Sequence, residues 1–231
     1  MSKTNDRPKA RADTRGEETR RRLIEAGLDV FGLYSFEGAT TRMLADRAGV
    51  NLAAIPYYFD GKEGLYRAVV EHVAAGIGER MLPAVERIDA VLANDELSHR
   101  QLLDLLQGLL ERFAAMLIGS KEPEKWARII IREQMQPTQA FDILYRSPMR
   151  LILDRCAVLV GRLLGRPADD PDILIRAFTL LGQILVFRMA REAALRTLGC
   201  ANFDEPQVAA IQAVVREQTE RLFAADPGGG S

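Results

Sequence analysis

A single glycine, Gly49, stands between two short helix-like stretches, TTRMLADRA and NLAAIPYYF, and leaves this part of the chain few ways to fold. Thr40 is placed to cap the first stretch through its hydroxyl, and Leu44 and Ala45 give that helix an inward face. Only a residue without a Cβ takes a left-handed conformation cheaply, so Gly49 ends the helix in a sharp turn. Val50 plugs the corner. Asn51 then caps a second helix whose opening residues, Leu52, Ala53 and Ala54, form a short face suited to lie against a base-pair edge. Gly61 and Lys62 close the unit and start the next helix. Residues 40–59 thus read as a helix-turn-helix.

The stretch before it is helical as well. Ile24, Leu28, Phe31 and Tyr34 fall at helical spacing and predict a helix from Glu17 to about Tyr34, with Arg20, Arg21, Arg22 and Glu25 around the stripe. Ahead of the helix-turn-helix the chain is basic: the first 22 residues carry eight Lys or Arg against four Asp or Glu, although the net charge of the whole chain is −1. Charge alone suits a solvated, disordered leader as well as an arm that meets phosphates or a minor groove. The position of the arm beside a helix-turn-helix favours DNA.

Past Lys62 the pattern stays helical, with no period-two apolar run bounded by strand-type turns. A fourth helix is expected towards Arg87, bent or broken near Gly76, Gly78 and Pro83. His99 to Ile118 reads as one amphipathic helix, Glu124 to about Gln134 as a shorter one, and Thr138 to Leu164 as a long one stopped by Gly165-Arg166-Pro167. Asp170 and Pro171 open the next helix and Gly199 closes it. That helix is apolar on more than one face, through Leu174, Phe178, Leu181 and Leu185 and also Leu180, Ile184 and Phe187, so a second buried side is expected. The last helix starts at Asp204 or Glu205 and places Val208, Ile211, Val215 and Leu222 along one side. Two such neighbours can build a four-helix bundle with their copies across a two-fold axis. A monomer with a well-packed core is the plainer alternative.

Three signals, a first helix ending in VFGLYSFEGAT, the TTRMLADRAGV helix and the YYFDGKEGLYRAV run, occur in an order and spacing that resemble the TetR/AcrR family of bacterial transcriptional regulators. The resemblance covers about residues 17–73; beyond Val73 it is to the family's all-helical plan. It implies an all-α chain: a disordered basic arm at 1–16, a three-helix DNA-binding domain at 17–63, a helical effector-binding and dimerisation domain at 64–225, and a flexible tail at 226–231. It also implies DNA contacts. Thr40, Thr41 and Arg42 match the start of the first motif helix, where the Arg42 fork would meet a guanine edge or a phosphate. Asn51, Leu52, Ala53 and Ala54 match the reading end of the second helix. Tyr57 and Tyr58 match positions that brace the DNA backbone, and Lys62 matches a phosphate anchor. Two departures stand out: Ser35 occupies a position where most relatives have the helix-ending glycine, and Pro56 replaces a tyrosine and is expected to distort the last turn of the recognition helix.

The resemblance further implies a pocket in the body for a small-molecule effector. Phe113, Met116, Trp126, Ile130, Phe141 and Phe187 supply adaptable apolar surface, with Glu133 and Arg188 as polar candidates. Each of these, taken singly, reads first as core. Catalysis has little support: His72 and His99 lack metal-ligand spacing, no GxSxG or GxxxxGK[ST] motif occurs, and neither metal nor cofactor is expected. No apolar run reaches the roughly 20 residues that span a bilayer. With no secretory leader and with Cys156 and Cys200 isolated, a reduced, cytoplasmic protein is expected. The expectation is a homodimeric repressor, paired through its last two helices and released from a palindromic operator by its effector. A constitutive DNA binder and a helical protein-interaction module are the rivals.

Overall fold

The computed structural model describes residues 7–93, 96–119 and 122–224, with backbone alone for 7–14 and 122–124. Among the described residues there are eleven α-helices, one π-helical turn and no strand. The chain divides into two compact units, and the division does not follow the sequence order.

The first unit holds the described residues up to Ala74 together with Glu124–Leu144. It contains α1 (Arg7–Gly38), α2 (Thr41–Ala48), α3 (Ala54–Phe59), the start of α4 (Lys62–Leu92), α6 (Glu122–Met135, from Glu124) and α7 (Phe141–Leu144). The expected boundary after residue 63 therefore misses two helices drawn in from far along the sequence. Leu23, Phe31, Leu44, Ile55, Leu65 and Val69 are sealed from solvent, as are Ile129 of α6 and Leu144 of α7. Helix α1 approaches α4 closely at Gly27, where a Cβ would lie 2.5 Å from Val69 Cγ2.

Helix α1 is longer than its apolar stripe predicts. It continues through Arg7–Gly16, where the sequence suggested a disordered arm; residues 1–6 of that arm and the tail at 226–231 lie outside the described residues. A kink interrupts it at Ser35, whose φ of 66° and ψ of 173° belong to a region that glycine enters readily and other residues seldom do. Serine thus adopts a backbone conformation that suits glycine better. Its hydroxyl accepts the Gly38 N–H at 3.2 Å, which offsets part of the strain.

The second unit holds Ala75–Pro123 and the described residues from Tyr145 onward. It comprises the rest of α4, α5 (His99–Ile118), α8 (Arg150–Leu164), α9 (Pro171–Met189), α10 (Arg191–Leu198) and α11 (Glu205–Leu222). Pro83 lies inside α4, which runs on to Leu92; of the bend or break expected there, no break occurs. Ser98 and Gln101 form a reciprocal capping box at the start of α5. Helices α5 and α11 are tied by Arg216, which donates to the buried Gln107 Oε1 at 2.7 Å and through Nε to Glu111 at 2.7 Å.

Two helices expected to be continuous are not. Thr138–Leu164 becomes α7, a π-helical turn at Tyr145–Met149 and α8; Pro148 lies within that turn and has no N–H to continue an α-helical ladder. The apolar helix after Pro171 breaks at Ala190 into α9 and α10, bent by 79°. No single described helix is long and apolar enough to cross a membrane.

Candidate nucleic-acid interface

The turn between α2 and α3 is built from local chemistry. Thr40 takes extended backbone geometry and its Oγ1 accepts the Met43 N–H at 3.2 Å. At the other end Gly49 is left-handed, with φ 62° and ψ 43°, and the Gly49 and Val50 N–H groups return to Asp46 and Ala45 carbonyls. Arg22 of α1 then donates to the Ala48 carbonyl at 2.5 Å and the Gly49 carbonyl at 3.0 Å, setting a cation on the negative end of α2. A Cβ at position 49 would approach Arg22 Nη2 within 2.7 Å, so the glycine serves this contact as well as the backbone. Nothing in the residues next to Arg22 predicts that role.

Asn51 Oδ1 accepts the Ala53 N–H at 2.9 Å and so organises the turn that leads into α3. Because α3 begins at Ala54, Pro56 falls in its first turn, where an absent N–H matters least. The Leu52 carbonyl that Pro56 cannot serve accepts from Ile55 N at 3.3 Å instead. The distortion expected in the last turn is therefore a tightening of the first. At the far end Asp60 is left-handed at φ 58°, and its N–H closes on Pro56 O. Gly64 permits this exit: a Cβ there would stand 1.7 Å from the Phe59 carbonyl oxygen.

Most of the predicted contact residues face water. Thr40, Arg42, Asn51, Leu52, Ala53 and Tyr57 are exposed, Tyr57 to 81%, whereas Thr41, Ala54 and Tyr58 are half-buried. The Tyr57 and Tyr58 rings meet edge to face at 4.8 Å. Phe59 is buried, and the Arg20 guanidinium lies 5.3 Å from its ring centre.

Lys62 corrects the expectation of a phosphate anchor. Its Nζ donates to the Phe36 carbonyl at 3.0 Å and the Ala39 carbonyl at 3.1 Å, and it lies 4.4 Å from the centre of the Phe36 ring. The kink at Ser35 leaves the carbonyls at the end of α1 in need of donors, and Lys62 supplies two.

Helix α6 is tied to α1 and α4 within the same unit. Glu133, wholly buried, accepts the Tyr66 hydroxyl of α4 at 2.5 Å and the Thr138 N–H at 3.0 Å, with Thr138 Oγ1 also at 3.0 Å. Burial first, and then the hydrogen bond to Glu133, push the Tyr66 phenol above its usual range. Arg132 donates to the Phe31 carbonyl of α1 at 2.6 Å. Asp29 of α1 binds Lys125 of α6 at 2.6 Å and Arg47 of α2 at 2.5 Å. Burial opposes its charge, but the hydrogen bonds and charges of Lys125 and Arg47 outweigh burial and hold its carboxyl below the usual carboxylate range.

The eight residues predicted to line an effector pocket are divided between the two units. Phe113 and Met116 are buried and Phe187 and Arg188 half-buried in the second unit; Trp126, Ile130, Glu133 and Phe141 belong to the first. Phe187 packs edge to face on Phe203 at 6.3 Å. Glu133 is corrected outright: its acceptors are taken by Tyr66 and Thr138, so it is a tie between helices. An acid inside IIIREQM, whose neighbours are largely apolar, was the one signal that donors must converge there. Among the described residues no group of three or more His, Cys, Asp or Glu side chains could hold a metal ion.

Comparison with known proteins bears on most of the chain. Residues 23–69 match the family model of bacterial regulatory proteins of the tetR family, and residues 102–225 match that of the C-terminal domain of the HTH-type transcriptional dual regulator CecR. The CecR protein of Shigella flexneri is 31% identical over 201 residues, spanning 87% of this chain and 89% of its own length. RutR of Escherichia coli K12, another HTH-type regulator, is 37% identical over 51 residues, 22% of this chain and 24% of RutR. Among solved structures, a Pseudomonas aeruginosa PAO1 protein provisionally described as a transcriptional regulator aligns with a TM-score of 0.62 at 18% identity, covering 89% of this chain and 90% of its own. The hemolysin II transcriptional regulator HlyIIR aligns with a TM-score of 0.56 at 17% identity, over 86% of this chain and 97% of HlyIIR. These structural likenesses speak for the fold.

Proposed function

The chain belongs to the tetR family of bacterial transcriptional regulators, with a body of the CecR type, and from that premise we propose that it is a homodimeric, effector-controlled repressor of a palindromic operator. Each subunit lays α3 in a major groove. Arg42 pairs with a guanine edge or a phosphate, Asn51 to Ala54 read bases, Thr40 and Thr41 fix the start of α2 on the backbone, and Tyr57 and Tyr58 brace the strand. The carrying observation is the pairing of a rigid turn with a solvent-facing edge: Thr40, Gly49 and Asn51 are all locked by hydrogen bonds while Arg42, Leu52 and Tyr57 stay exposed.

Dimerisation uses α9 and α11. Ile175, Phe178, Leu185 and Met189 recur at helical spacing on α9 and are 62%, 60%, 39% and 57% exposed; Val214 and Leu222 on α11 are 52% and 63% exposed. So large an apolar stripe on a water-facing helix needs a covering surface, and a second copy supplies it with two-fold symmetry. An effector in the body binds the two DNA-reading geometries unequally and so shifts operator affinity. Activation from the same site is a second reading, favoured by the description of the CecR relative as a dual regulator.

Selection of bound fragments from randomised DNA tests the proposal. Enrichment of an inverted repeat with half-sites about one helical turn apart is expected; recovery of DNA with no shared sequence contradicts it.

A further inference from the structure

Helices α1 and α6 leave a groove of about 380 Å³, lined by Gly32 of α1 and by Arg128, Ile131, Arg132, Met135 and Gln136 of α6. Gly32 is buried, and a Cβ on it would lie 3.6 Å from Arg128 Cδ, so its missing side chain leaves room against the arginine stem. The charge of the lining is one-sided: two guanidinium groups and no carboxylate. Asp29, one turn earlier on α1, is already held by Lys125 and Arg47. Arg132 commits Nη1 to the Phe31 carbonyl. Arg128 has no hydrogen-bond or ion-pair partner among the described residues. Beside it Met135 is 77% exposed, an apolar and adaptable chain standing in water.

We propose that this groove binds an organic anion, a carboxylate on an apolar body, with the carboxylate on Arg128 and the body against Ile131 and Met135. A guanidinium without a partner grips a carboxylate through two parallel N–H···O bonds, and the mostly apolar wall accounts for the rest of the ligand. The site lies within the unit that carries the helix-turn-helix, and none of its lining residues is among the eight expected to hold an effector. Its occupant bridges α1, whose end bears the Ser35 kink, and α6, which ties down Tyr66 and Phe31. The site stands on this geometry and does not depend on the repressor reading.

The test titrates the full chain with naphthalene-2-carboxylate and, separately, with the neutral naphthalene-2-methanol, by calorimetry and by the fluorescence of Trp126, the one tryptophan in the chain, on α6. Saturable binding of the carboxylate is expected, about tenfold tighter than the alcohol, as for one charge-assisted bidentate pair. Arg128→Gln should bring the two ligands within about threefold of each other and leave the melting temperature unchanged, while Arg67→Gln, another exposed arginine of the same unit, should change neither affinity. Met135→Ala should weaken both ligands. Absence of saturable binding overturns the proposal, and so does binding that Arg128→Gln leaves intact, which would place the anion elsewhere, the body included.

Discussion

Tyr66→Phe removes one oxygen from the interior and leaves the packing around it nearly unchanged. The ring still meets Phe31 at 5.0 Å and Phe36 at 5.2 Å, so the loss isolates the hydrogen bond to Glu133. Tyr66 is 5% exposed and Glu133 fully buried, so water cannot replace the hydroxyl. A hydrogen bond to a charged group contributes about 1.5–3 kcal/mol, and the substitution should therefore cost about 2 kcal/mol. Glu133→Ala should cost more, about 3–5 kcal/mol, because it strips the Tyr66 hydroxyl and the Thr138 N–H of their acceptor at once. Once Glu133 is gone, Tyr66→Phe should cost almost nothing, which gives a coupling of about 2 kcal/mol in a double-mutant cycle. Urea unfolding followed by circular dichroism, at one fixed protein concentration, measures all four variants. The same contact sets a pH dependence. The folded Tyr66 pKa lies above its unfolded value, so its contribution is complete below about pH 10 and is lost as pH rises further. Tyr66→Phe should remove that alkaline slope. A cost below about 0.5 kcal/mol for Tyr66→Phe, or simple additivity with Glu133→Ala, would refute the role of α6 as a tie to α4.

Gly64→Ala improves helix propensity by up to about 1 kcal/mol, yet places a Cβ 1.7 Å from the Phe59 carbonyl; the clash should win, lowering stability by about 3 kcal/mol and weakening operator binding, as thermal melts and fluorescence anisotropy would report. Asp29→Asn should cost about 1 kcal/mol at neutral pH. Because the folded Asp29 pKa is depressed, the wild-type advantage should be present above about pH 4 and vanish as pH falls below it, which pH-dependent urea midpoints would resolve. Phe178→Asp, at a position already 60% exposed, should leave the fold intact and yield monomers in analytical ultracentrifugation; an unchanged sedimentation mass would remove α9 from the dimer interface.

What the sequence made legible is what backbone chemistry decides locally. Gly49 had to be left-handed, Thr40 had a free N–H to cap, and Pro171 with Gly199 bracketed a helical segment, so these features stand where the residues alone put them. Long-range geometry was hidden. Lys62 reads as a phosphate anchor until the kink at Ser35 brings the Phe36 and Ala39 carbonyls to it. Glu133 reads as a pocket acid until Tyr66, 67 residues earlier, turns its hydroxyl onto it. The break at Ala190 has neither glycine nor proline to announce it, whereas the π-helical turn holds Pro148, a local signal passed over in expecting one helix over Thr138–Leu164. The same limit explains the domain boundary: nothing local in Glu124–Leu144 says that it folds with the helix-turn-helix.

Whether the edge formed by Arg42 and the Asn51–Ala54 turn reads DNA is decided by the affinity of Arg42→Ala for the selected operator and for scrambled DNA of equal length. Arg42 is exposed, so its removal should leave folding untouched. A loss of about 1–3 kcal/mol on the operator is the predicted result, confined to the operator if Arg42 meets a guanine edge and shared by scrambled DNA if it meets a phosphate. Equal affinity of wild type and Arg42→Ala for the operator would contradict the account.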